Sequence, residues 1–144
     1  MDVFRNMDVI SSALTAERTR LNAISSNVAN ANSTQGVDGG PYRRKDVVLE
    51  SAPHQQSFGE ILDETKNDHT EVRVTDIRED TAAPRMAYKP EDPHANAEGY
   101  VAMPNVNPVE EMANMISADR AFQTNVNLFQ TTKTMALKAL EIGR

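Results

Sequence analysis

The sequence predicts an α+β chain: long N- and C-terminal helices forming an antiparallel coiled-coil-like pair, with a small irregular β-rich middle region between them. Three observations lead there. From the N-terminus, Val3, Met7, Ile10, Leu14, Leu21, Ile24, Val28 and Ala31 recur at alternating steps of four and three, interrupted only at Glu17. Toward the other end Met115, Phe122, Val126, Phe129, Ala136 and Leu140 repeat the pattern, with Asp119 and Lys133 in the gaps. Between these stretches, prolines and glycines cut the chain into short β-branched runs. A period of 3.5 is that of helices wound against other helices.

The expected organisation is an assembly helix over 1–33, a β-rich middle over 34–106 and a second assembly helix over 107–144. No Pro or Gly precedes Gly36, so the first helix runs unbroken from about residue 2 to Asn32. At ~1.5 Å per residue it would be on the order of 45 Å long. Asn30, Asn32, Ser33 and Thr34 then lead into Gly36-Val37-Asp38-Gly39-Gly40-Pro41, a dense turn signal. In the middle, Tyr42 to Leu49 and Glu71 to Arg78 are the best strands, with Arg85 to Tyr88 and Tyr100 to Met103 behind them. Pro84, Pro90, Pro93 and Pro104 push these strands toward edges. Residues 51–70 read as a polar, irregular loop. The second helix has a well-specified start: Asn107 to cap, Pro108 at the first helical position and Glu110 to complete a capping box. Glu110 and Glu111 carry the sign that the helix dipole favours there, and nothing interrupts the pattern before Gly143.

Composition narrows the function. Leu, Ile, Val and Phe account for 29 of 144 residues and Trp is absent, which puts the core close to the ~20% level below which charged chains stay disordered. A net charge of −6 argues against nucleic acid, which needs clustered Lys and Arg. The one basic cluster, Arg43-Arg44-Lys45, reads as a solvated strand face. Without Cys there are no disulfides, thiolate metal sites or thiol nucleophiles. The first residues lack the basic and apolar regions of a cleavable signal, and no stretch approaches the ~20 apolar residues of a membrane span.

The polar faces of the helices are unusual. Leu21 to Val37 and Ala121 to Thr132 contain no charged residue, yet they are rich in amides and hydroxyls such as Asn22, Ser25, Asn27, Gln123, Thr124 and Asn127. Amides are buried far more cheaply than charges once they are paired. Asn and Thr are also poor helix formers that a merely solvated surface would avoid. Such helices are expected to pack against several neighbours.

Chemistry is sparse. His54, His69 and His94 are scattered and form no metal-ligand pair, and Asp92, Asn96, Glu98 and Gly99 miss the spacing of a calcium loop. Phosphate-binding loops and nucleophile elbows are absent. Met7, Met112, Met115 and Met135 read as seam packing. No catalytic, cofactor-binding or metal residue is expected. The candidate site is a subunit interface: Met7, Ile10, Leu14, Leu21, Ile24 and Val28 on the first helix, and Met115, Phe122, Val126, Phe129 and Leu140 on the second.

The run Leu21-Asn22-Ala23-Ile24-Ser25-Ser26-Asn27-Val28-Ala29-Asn30-Ala31-Asn32-Ser33 resembles the N-terminal signature of bacterial flagellar rod and hook proteins. Glu98-Gly99-Tyr100-Val101, Met103-Pro104-Asn105-Val106, Glu110-Glu111-Met112 and Met115-Ile116-Ser117-Ala118-Asp119-Arg120 are similar to the C-type proximal rod proteins within that family. Asp8-Val9-Ile10-Ser11-Ser12-Ala13-Leu14 and Asp38-Gly39-Gly40-Pro41-Tyr42-Arg43 fit as well. The resemblance covers both termini and about half the chain. It departs at Phe122, where many relatives carry Tyr, and it offers no match for Ser51 to Ala83. It implies a non-enzymatic subunit of the basal-body proximal rod, polymerised through its terminal helices into a torque-bearing shaft. Its partners would be copies of itself, related rod subunits, the inner-membrane ring and the type III export apparatus. Export would proceed without signal cleavage, and no cofactor is implied. Two alternatives remain open here: another axial protein of the B-type or hook-related kind, and a coiled-coil adaptor or export chaperone that folds alone as a discrete oligomer.

Overall fold

The computed structural model describes residues 3–36, 39–53 and 70–142. Its elements in order are α1 (Val3–Asn30), β1 (Lys45–Pro53), β2 (Thr70–Glu79), β3 (Arg85–Tyr88), β4 (Tyr100–Met103) and α2 (Pro108–Ile142). β1 pairs with β2, and β3 pairs antiparallel with β4. The α+β class holds. β3 and β4 occupy the expected residues, whereas β1 starts at Lys45 rather than Tyr42, because the preceding residues spend their polar groups elsewhere. β1 also extends to Pro53, into the expected loop; the rest of that loop up to residue 69, with His54 and His69, lies outside the described residues, as do Gly143 and the turn at Val37-Asp38.

The start of α2 follows its sequence signals. Asn107 Oδ1 accepts the Val109 N–H at 3.2 Å, and the Asn107 carbonyl accepts from Glu111 N–H at 3.0 Å. Pro108 fills the first position, where no N–H donor is required. At the end of α1, Ala31 N–H bonds the Val28 carbonyl and Ser33 N–H bonds the Asn30 carbonyl, drawing out the last orphan acceptors as the chain leaves the helix.

The chain forms two compact units. The first comprises residues 1–19, 48–76 and 119–144. Its fully buried residues, among those described, are only Ala16 and Thr132. Within it, the Val72 N–H donates to Ser12 Oγ at 3.2 Å, and Ser12 in turn bonds the Val9 carbonyl, so β2 is tied to α1 through one hydroxyl.

The second unit comprises residues 20–47 and 77–118. Its core is Ala23, Ile24, Ala31, Val101, Met103, Pro104, Val106 and Ala118, together with the polar Asn27 and Glu111. Strand alternation sends Val101 and Met103 of β4 inward. This unit holds nearly all of the deeply buried residues among those described.

The helix faces refine the expected seams. On α2 the covered row runs Glu111, Met115, Ala118, Phe122, Asn125, Phe129, Thr132 and Ala136, again in steps of four and three, and none of the eight is exposed. Val126 is half-buried, but Asp119, Lys133 and Leu140 lie in solvent. An apolar-only reading skipped the row's polar members and drifted onto its neighbour.

Asn107→Ala removes the α2 cap and is expected to cost about 1 kcal/mol, read as a lower urea midpoint with an unchanged slope.

Candidate functional site

The best-built cluster in the second unit is a buried polar clasp centred on Asn27, which has no exposed surface. α1 delivers the Asn27 side chain inward one helical step from the apolar seam. Its Nδ2 donates to the Lys45 carbonyl and to Glu111 Oε2, each at 2.9 Å. Its Oδ1 accepts from the Lys45 N–H and from the Tyr42 hydroxyl, each at 2.9 Å. Those four bonds exhaust what a carboxamide can make. Asn27 thus takes both polar groups of the first β1 residue, as a neighbouring strand would. Since the Tyr42 proton is committed to Asn27, the 3.2 Å contact between Tyr42 and Ser26 is donated by the serine.

Glu111 enters from the first turn of α2 and is 1% exposed. Its second oxygen accepts from Arg44 Nε at 2.7 Å, a charge-assisted bond. Arg44 is fixed along its backbone too: its N–H meets Asn105 Oδ1 at 3.2 Å, and its carbonyl accepts from Asp80 N–H at 2.8 Å. The hydrogen bond to Glu111 holds the Arg44 guanidinium above its ordinary pKa, opposed by burial and helped by the charges of Glu111, Asp46 and Glu110. A base raised in the folded state contributes stability that is complete below its unfolded pKa and disappears only as pH rises through the higher folded value. The Arg44 charge therefore survives any ordinary alkaline titration.

Two sequence expectations change here. The Arg43-Arg44-Lys45 cluster is not a uniformly solvated face: Arg43 is exposed, but Arg44 is half-buried and ion-paired. Glu111 is not a surface charge answering the helix dipole, because it seals the clasp. A local signal existed for Glu111 and for Asn27, but none for their pairing or for Arg44. Glu111 heads the 3.5-residue row that continues through Met115 and Ala118, and Asn27 sits in a run without charges.

The expected interface residues are placed as follows. Ile24 is buried, while Met7, Ile10, Leu14, Leu21, Val28, Met115, Phe122, Val126 and Phe129 are half-buried, and Leu140 is 71% exposed. Met7, Ile10, Leu14, Phe122, Val126, Phe129 and Leu140 belong to the first unit, the others to the second. Of the neutral polar positions, Asn22, Ser25, Gln123, Thr124 and Asn127 are exposed. Thr15, Thr19, Thr124, Thr131 and Thr134 each bond the carbonyl four residues earlier, so their hydroxyls are already occupied within the helix.

An open cleft of about 850 Å³ lies beside Tyr42, with Arg43, Lys45 and Glu79 as its charged lining. Asn105 lines it as well, and its Nδ2 is buried without an acceptor. Among the described residues no three His, Cys, Asp or Glu side chains gather as metal ligands, and no helix is long and apolar enough to cross a membrane.

Two long helices, two small two-stranded sheets and a polar cluster spent on holding backbone together suit a structural protein. Comparison with known sequences agrees. Residues 7–36 match the family model described as flagella basal body rod protein, and residues 97–142 match that of the flagellar basal body rod FlgEFG protein C-terminal region. Over the full length of both chains, it is 43% identical to the flagellar basal-body rod protein FlgC of Bacillus subtilis and 41% identical to that of Salmonella typhimurium. The FlgC of Aquifex aeolicus is 35% identical, with 98% of this chain and 97% of the relative covered. The chain belongs to the flagellar basal-body rod protein family. It is a structural rod subunit, not an enzyme.

Replacing Asn27 with Leu strands the Lys45 backbone groups and the Glu111 carboxylate, and is expected to cost ~3–5 kcal/mol by urea unfolding. Arg44→Met and Glu111→Leu should each destabilise strongly, while the double variant should be more stable than the sum of the two losses predicts.

Proposed function

We propose that the chain polymerises through its terminal helices into the proximal part of the flagellar rod, where it transmits torque. One observation carries this reading. Among its described residues the first compact unit buries only Ala16 and Thr132, yet Phe4, Leu128, Met135, Leu137 and Leu140 stand in solvent on its helices. A protein that works alone rarely keeps so much apolar helix uncovered. Neighbouring subunits would supply the missing core. Threonine hydroxyls bonded back to their own helices remove a reason for those surfaces to remain wet.

In this reading Met7, Ile10, Leu14, Leu21, Ile24 and Val28 form one set of subunit contacts, and Met115, Phe122, Val126, Phe129 and Leu140 form the other, with the helices paired antiparallel. The domains then divide by role: 1–33 and 107–144 assemble, and 34–106 decorates. The C-type names of the full-length relatives favour this over a B-type or hook-related subunit. The inner-membrane ring and the export apparatus complete the set of partners, with the assembled position periplasmic and export proceeding without a cleaved signal. Heterologous contacts between long helices give an open helical array with many shallow contacts loaded in parallel.

Hydrogen exchange on the isolated chain and on the same chain in basal bodies tests the reading. Amides in 3–32 and 108–142 should exchange fast when free and slowly after assembly. Equal protection in the two states would instead indicate a self-sufficient adaptor. A Leu14→Asp or Phe129→Asp strain should not swim, and normal motility of either would remove the seam from the interface.

A further inference from the structure

We draw no further inference here: the strongest candidate, the open cleft beside Tyr42 that is lined by Asn105 with its buried, acceptorless Nδ2, carries none, because Glu79 stands against Arg43 and Lys45 in the same lining and nothing in the structure shows what fills it.

Discussion

The second unit depends on one carboxamide. Asn27 spends all four of its hydrogen-bonding positions on groups that would otherwise be stranded: both polar atoms of Lys45, the Tyr42 hydroxyl and a carboxylate from α2. A buried Glu111 would be prohibitive without Asn27 and Arg44, and β1 would lack a partner at its first residue. The amide also bonds residues 18 and 84 positions away in the chain. Few side chains could do this, since an aspartate has no donor and a leucine has neither donor nor acceptor.

That constraint explains local features that look unrelated. β1 begins late because the Arg44 N–H is taken by Asn105 Oδ1, while the Tyr42 hydroxyl and Arg44 guanidinium reach Asn27 and Glu111. The capped start of α2 matters because the cap fixes where Glu111 emerges, four residues after Asn107. With the carboxylate turned inward, the opposite side of the first turns presents Val109, Met112 and Ile116 outward. The polar clasp and the exposed apolar row are two consequences of one helix orientation.

The sequence made the helices and short strands legible because their signals are local. Asn107-Pro108 marks a helix start, Pro84 and Pro104 confine β3 and β4, and a 3.5-residue period survives a few substitutions. The clasp was not legible for the opposite reason. Nothing within reach of Asn27 in sequence announces Glu111, and a charge after a cap has an ordinary explanation in the helix dipole. Reading only apolar residues also hid the covered row of α2, whose members include Glu111, Asn125 and Thr132. Polar residues that keep the period belong in a seam when their bonds can be met.

The two units divide the work of a polymerising protein. The second closes its core around Asn27, Val101 and Met103, and the Asn27 carboxamide and Glu111 carboxylate find their partners within it. The first buries Ala16 and Thr132 and little else among the described residues, and it leaves Leu128 and Leu140 uncovered. A subunit with two finished halves would have little free energy left to gain from joining a rod. One with no finished half would be poorly folded before joining. Concentrating stability in one unit and uncovered apolar surface in the other would meet both requirements in the proposed assembly, where neighbours would complete the first unit.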